Sequence, residues 1–285
     1  MVIKNKSFQK NRSKLYIVGT PIGNLKDISE RALETLKSVD VIYCEDTKNT
    51  VKLLSAYNIR KPLYSMHEHN ENIAADAVIN RVIVGENVAY VSDAGNPLVS
   101  DPGSILIKKA NENNLDVVTI LGPSAFLHAL INSGFNTEHF FFYGFLSRDE
   151  KVKTQELALL LKREETSILY EAPHRIAKLL KSLSNAAPDR NIMLARELTK
   201  LHEEFIFGTA LELASIDSDT IIGEIVVVIE GAKPTEEKKE EIDIIKIYEL
   251  LKTKMSTKDI IEFIVLQYKL KKNDVYKILE DHKKN

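Results

Sequence analysis

Three apolar runs in this chain end in clusters of charge. Val39–Tyr43 runs into Cys44-Glu45-Asp46-Thr47, and Ser167–Tyr170 stops at Glu171-Ala-Pro-His174-Arg175. Asn191–Arg196 continues as Glu197-Leu198-Thr-Lys200. Carboxylates and imidazoles are the groups that move protons when held within hydrogen-bond reach of a reacting atom. Glu45, Asp46, Glu171, His174 and Glu197 are therefore the candidate acids and bases. Guanidinium and ammonium groups grip phosphates and carboxylates, which makes Arg175, Arg196 and Lys200 the candidate anion holders. Each cluster also has a structural reading, since an acid at a helix start caps it and an exposed pair of charges is often only a surface ion pair. If the three ends converge, they do so on a cleft between two sheets, where ligands of α/β proteins usually bind.

Three loops rich in glycine and proline carry the other signal. The run Val88–Val91 breaks into Ser-Asp-Ala-Gly-Asn-Pro-Leu-Val-Ser-Asp-Pro-Gly103, a stiff connection with Gly95 for close approach and Pro97 and Pro102 to fix φ. Gly19-Thr-Pro-Ile-Gly-Asn24 and Leu121-Gly-Pro-Ser-Ala125 follow two further apolar runs. The Gly19–Asn24 loop is neither Gly-x-Gly-x-x-Gly nor a Gly-Lys-Ser/Thr phosphate loop, which argues against a nucleoside triphosphate cradle. His67 and His69 stand two apart, as on one side of a strand, with no further ligand at metal spacing. No Gly-x-Ser-x-Gly elbow supports a serine nucleophile.

The elements that must position these loops alternate. Strands at 15–18, 39–43, 61–64, 88–91 and 117–120 are separated by helical patterns, the mark of a mostly parallel sheet covered on both faces. The first of those helices spans 27–37, with Asp27 and Ser29 as its possible N-caps, and Ser124 is placed to cap the helix ending near Gly134. Beyond it the rhythm changes: strands at 140–145, 167–170, 191–196, 204–208 and 224–229 share two good helices, so the second sheet is mixed. From Pro234 the composition turns to Glu and Lys, and three short helices follow, capped by Ser256-Thr257 and Asn273, that resemble a helix-turn-helix module. The organisation expected is a flexible basic tail at 1–13, α/β domains at 14–123 and 124–233, and a linker with a helical module at 234–285.

Composition bounds the function. The 285 residues are 44% hydrophobic and 28% charged, as in a globular protein, and no apolar run approaches the ~20 residues of a membrane span. One cysteine, Cys44, excludes an internal disulfide, and with no signal peptide in view the expected location is the cytoplasm. At a net charge of −2, any nucleic-acid site must be a local basic patch.

Seven stretches, in order, resemble one family: 15–27, Cys44–Thr47, Val91–Leu98, Asp101–Gly103, Gly122–Ala125, Tyr170–Arg175 and Arg196–Lys200. The resemblance is to the ribosomal-RNA-methylating members of the tetrapyrrole-methylase fold family, and it runs from about Leu15 to Gly231. It implies S-adenosylmethionine bound in a cleft between two α/β domains, S-adenosylhomocysteine as product and a homodimer. It further implies methyl transfer to the ribose 2′-hydroxyl of a cytidine in the decoding region of 16S rRNA, on the small ribosomal subunit. By motif position Ala94, Gly95, Asn96 and Val99 would line the cofactor's amino-acid end, with Pro21 at the cleft floor and Ser124 and Ala125 in contact. Glu171 and Leu198 would hold the adenosine. The wider family often has Gly-Gly-Asp-Pro where this chain has Ala94-Gly-Asn-Pro97, so the acid here lies earlier, at Asp93. Arg175, Arg196 and Lys200 would meet the phosphates flanking the target. A sulfonium donor calls for no metal. Two other readings share these features: a tetrapyrrole methylase of the same fold, and a non-catalytic RNA-binding assembly factor that has kept the cleft.

Overall fold

The computed structural model describes residues 12–217, 220–233, 243–268 and 270–284. Most of the N-terminal basic segment, and the Glu/Lys run at 235–241, fall outside the described residues. The chain divides into one compact unit at 1–232 and a second at 233–285.

The first sheet is wholly parallel and contains β1 (Lys14–Val18), β2 (Val41–Cys44), β3 (Leu63–Ser65), β4 (Val88–Val91) and β5 (Asp116–Ile120). Its order is β3-β2-β4-β1-β5. All four residues of β4 are at most 1% exposed, as a strand covered on both faces requires. The helices that cover it are α1 (Glu30–Ser38), α2 (Thr47–Ala56), α3 (Glu71–Ile83) and α4 (Ser104–Glu112). The connection leaving β1 leads to β2 on one side of the sheet, whereas that leaving β4 leads to β5 on the other. Their loops diverge at the carboxyl ends of two adjacent strands, the switch point at which open α/β sheets form a crevice.

After α5 (Ala125–Ser133) comes the second sheet: β6 (Phe140–Phe145), β7 (Thr166–Glu171), β8 (Asn191–Arg196), β9 (Glu204–Thr209) and β10 (Ile225–Ile229). The order is β6-β7-β10-β8-β9, with β6 and β7 parallel and the other pairings antiparallel, so the expectation of a mixed sheet holds. α5 closes one face through Ala129 and Leu130, which pack with Ile168, Met193 and Val226. On the other face α6 (Glu150–Leu160), α7 (Pro173–Ala186) and a four-residue α8 (Ala210–Leu213) bury Leu157, Ile176 and Leu213.

Several local readings are corrected. The first long helix begins at Glu30 rather than near Asp27, because Ser29 accepts the Ala32 N–H and Asp27 ends a separate 3-10 turn at Leu25–Asp27. His67 and His69 lie beyond the end of β3, in a turn closed by Asn70, so strand geometry does not align them. Among the described residues no cluster fit to hold a metal occurs. α8 was not expected; a Thr209–Glu212 capping box nucleates it in a stretch too short to show helical periodicity. In the second unit α9 (Ile244–Leu251), α10 (Thr257–Tyr268) and α11 (Lys272–Lys284) bury Tyr248, Ile260, Ile264, Val275 and Leu279 in a small core of their own. Ser256 accepts from Asp259 N as a cap, but Asn273 lies inside α11 rather than before it.

One buried acid ties α3 to α4. Glu71 is 8% exposed, and its Oε1 accepts the N–H groups of Gly103 (2.9 Å) and Ile105 (2.8 Å). Those donors begin α4, where helical backbone N–H groups have no partner of their own. Glu71→Ala is expected to cost about 2–3 kcal/mol, because it removes a charge-assisted acceptor and orphans two buried donors. Urea unfolding with an unchanged m-value would measure the loss.

Candidate active site

The three glycine–proline loops are joined at the carboxyl edge of the first sheet. Thr20 and Gly95 exchange backbone hydrogen bonds of 2.8 and 3.1 Å, joining the loop after β1 to the loop after β4. The side-chain amide of Asn96 joins both to the loop after β5: its Oδ1 accepts from Gly122 N (2.7 Å), and its Nδ2 donates to the carbonyls of Gly122 (3.2 Å) and Pro123 (3.1 Å). Gly19 lies so close beneath that a Cβ there would come within 2.3 Å of Gly122 N. Only glycine permits that approach. Ser124 occupies the N-cap position of α5 and its carbonyl accepts from His128 N (2.9 Å), but its side chain makes no cap bond, contrary to the role expected of it.

Facing these loops are the ends of β6, β7 and β10. Between the two walls lies a cavity of about 390 Å³, within the range of small-molecule sites. One wall holds Ile22, Ala94–Asn96, Val99–Asp101, Ser124 and Ala125, and the other Phe145, Tyr170–Pro173 and Gly223–Val226. Ile22, Val99, Phe145 and Tyr170 make much of the lining apolar. Burial pushes the Tyr170 hydroxyl up to about 12, so it stays a neutral donor at physiological pH.

Three carboxylates line this cavity. Glu171, at the end of β7, has a side chain only 1% exposed; its Oε1 accepts from Ala172 N (2.9 Å) and pairs with Arg175 at 3.1 Å. Its Oε2 is buried with no protein hydrogen-bond partner, on a residue that lines the cavity. Glu224 pairs with Lys200 at 3.1 Å. The third, Asp101, carries no ion pair among the described residues. Burial raises its pKa, a hydrogen bond from Ser92 opposes that shift, and Asp93 adds to it. Burial likewise raises Glu45, reinforced by Asp101, Asp93 and Asp46.

Of the residues expected at the site, Ala94, Gly95, Asn96, Val99, Ser124, Ala125 and Glu171 stand together on the cavity walls. Pro21, Asp93 and Leu198 do not line it. Pro21 is buried beside Ile22, and Leu198 packs behind that same Ile22 in the second core. Asp93 turns away: its two carboxylate oxygens accept from Asp46 N (3.1 Å) and Asn49 Nδ2 (2.9 Å), bracing the start of α2. Asp46 caps that helix through Lys48 N at 2.7 Å. His174 is exposed in the first turn of α7, away from the cavity lining.

Glu197 sits at φ 50° and accepts from Glu224 N (3.1 Å) and Lys200 Nζ (3.0 Å), which lowers its pKa. Lys200 is raised: burial works against its charge, but the hydrogen bonds to Glu197 and Glu224 outweigh that. Arg175 donates to the Leu146 and Ser147 carbonyls, and Arg196 pairs with Glu204 at 2.5 Å. Each of the three cations is thus paired with an acid of this chain. Phe145, Tyr170, Asp101 and Glu224 are among the lining residues that reasoning from sequence passed over. The signal for Asp101 was an acid directly before Pro102-Gly103, where a stiff loop turns into a helix.

Such a crevice, with apolar walls, an orphan buried acceptor and a carboxylate of raised pKa, suits an amphipathic ligand and a proton transfer. The family described as tetrapyrrole (corrin/porphyrin) methylases matches residues 14–214, and the chain belongs to this family of methyltransferases. It is similar to ribosomal RNA small subunit methyltransferase I of Bacillus subtilis, 48% identical over 228 residues, which are 80% of this chain and 78% of the relative. The protein of the same name from Haemophilus influenzae is 38% identical over 268 residues, 92% of this chain and 94% of the relative. Among solved structures, uroporphyrin-III C-methyltransferase from Thermus thermophilus aligns with a TM-score of 0.57 at 18% identity, covering 77% of this chain and 94% of that one. Diphthine synthase aligns at 0.59 and 17%, over 76% and 90%. Those two likenesses speak for the fold alone.

The lowered pKa of Glu197 has a consequence for stability. A carboxylate whose folded pKa is depressed contributes fully above its unfolded value, about 4.3, and the contribution is lost as the pH falls through the folded value. Glu197→Gln is expected to lower the melting temperature at pH 7 and to reduce the further loss between pH 5 and pH 3. Thermal melts across that range would check it.

Proposed function

We propose that the protein transfers a methyl group from S-adenosylmethionine to the ribose 2′-hydroxyl of a cytidine in the decoding region of 16S rRNA. The observation that carries the reading is the cavity itself, in a chain whose similarity extends over most of two ribosomal RNA methyltransferases. The residues present fit the donor: Glu171 Oε2 is an unpartnered buried acceptor for a ribose or amine donor, and Ile22 and Phe145 offer apolar surface to its flat base. Ala94–Asn96 and Ser124–Ala125 would hold the amino-acid end, with Pro21 and Leu198 supporting from behind the wall. When bound, the sulfonium supplies an electrophilic methyl carbon.

The chain's own part is orientation and exclusion of water. The Asn96 knot fixes one wall, and the ion pair Glu171–Arg175 fixes the other. Proximity of this kind lowers the barrier by settling orientation before the reaction. Arg175, Arg196 and Lys200 would be drawn upon by phosphates flanking the target, competing with Glu171, Glu204 and Glu224 for them. The same reading includes a homodimer.

The test is to incubate the protein with methyl-labelled S-adenosylmethionine and either small ribosomal subunits or tetrapyrrole precursors. Label is expected on the 16S rRNA; label on a tetrapyrrole instead would overturn the reading, as would cofactor binding with no transfer. Arg196→Ala should lower RNA methylation at least tenfold while S-adenosylhomocysteine affinity changes less than twofold, measured by rate and by calorimetry. Equal methylation would remove Arg196 from the RNA site.

A further inference from the structure

We infer that the loop after β6 and the outer face of α7 form the surface that holds the RNA strand beyond the cavity, with Arg148, Lys178 and Lys181 as its phosphate contacts. The assignment rests on the methyltransferase reading above. Arg175, Arg196 and Lys200 are already paired with acids of this chain. A strand that draws on them must displace a carboxylate each time, whereas an exposed cation without a partner meets a phosphate directly.

α7 carries such cations in a row. Its 14 residues include no acid. Ile176, Leu179, Leu180 and Leu183 are buried in the core of the second sheet, which leaves His174, Lys178 and Lys181 on the outer face at helical spacing, all three exposed. Neither lysine has an ion pair among the described residues. The row begins at the cavity, because Glu171, Ala172 and Pro173 line it.

Arg148 stands at the same end. Its loop follows Phe145 on the cavity wall and is held firmly. Ser147 N donates to Glu156 Oε2 at 2.8 Å, and Asp149 N donates to Ser147 Oγ at 3.1 Å. Arg175, in the first turn of α7, donates to the carbonyls of Leu146 and Ser147 at 3.0 Å each, which fastens the loop to the helix. The acids beside Arg148 are engaged: Asp149 caps α6 through Lys151 N and Val152 N, and Glu150 lies 4.0 Å from Lys153. Arg148 itself is exposed and has no ion pair among the described residues. At a net charge of −2, these cations are a local feature rather than part of a general positive field. Their continuity with a cavity that would take a ribose hydroxyl makes the occupant RNA rather than an acidic protein.

The test uses the full-length protein with two probes, small ribosomal subunits that lack the modification and protein-free 16S rRNA. The triple variant Arg148→Ala, Lys178→Ala, Lys181→Ala should raise KM for the subunit at least tenfold, while kcat and S-adenosylhomocysteine affinity change less than threefold. Its binding to both probes should depend less on salt, the slope of log K against log salt shrinking by about 2, as three single-strand phosphate contacts at ~0.7 each would give. Arg148→Lys should retain most of the affinity that Arg148→Ala loses. Lys37→Ala, exposed near the end of α1 at the amino edge of the first sheet, should change KM less than twofold. A triple variant with KM within threefold of the unaltered protein would overturn the surface, as would an equal rise in Lys37→Ala. Weaker binding to the subunit with full affinity for protein-free rRNA would also overturn it, and would assign the face to a ribosomal protein. Salt-dependent RNA binding by the unaltered protein, lost in the triple variant, but with no transfer of label would overturn the methyltransferase reading and leave the surface standing.

Discussion

The close approach of Gly19 to Gly122, with the Asn96 amide spanning them, is the constraint on which the site depends. Two adjacent parallel strands end there, and their loops would splay if each were left to satisfy its own backbone. Instead Thr20 and Gly95 pair, and Asn96 satisfies a donor at Gly122 and acceptors at Gly122 and Pro123. A side chain at position 19 would push Gly122 away and open the wall. The cavity is therefore preorganised by hydrogen bonds among loops rather than by a packed hydrophobic layer. That suits a surface that must meet a polar ligand.

The opposite wall is stabilised by charge. Arg175, Arg196 and Lys200 each neutralise an acid within the protein, and Glu197 threads its carboxylate between Lys200 and the backbone of Glu224. Gly23 lies against Lys200, so the loop after β1 touches the loop after β8 and couples the two walls. Pairing leaves few charges uncompensated near the cavity. Against that background the acidic group of Glu45, Asp93 and Asp101 stands out, since Asp93 adds to the raised proton affinity of both Glu45 and Asp101. Asp93 is held by Asp46 N and Asn49, and Asp46 caps α2, which leaves Asp101 as the member on the cavity wall.

The alternation of apolar runs with helical patterns determined the parallel first sheet and the mixed second one, because burial on both faces writes continuous apolar strands into the sequence. Motifs at strand ends likewise marked Ala94, Gly95, Asn96, Val99, Ser124, Ala125 and Glu171, all of which line the cavity. What only the tertiary structure decided was the direction of side chains and the partners they find. Asp93 and Asp101 lie eight residues apart in one loop, and the motif pattern pointed to Asp93. The left-handed turns at Leu98 and Ser100 set the loop's course between them, and contacts some 45 residues away occupy Asp93. In the same way, whether Arg175 or Lys200 is open or already paired depends on acids that the fold brings alongside. Local pattern specifies where a loop lies; long-range pairing decides which of its charges remain to act.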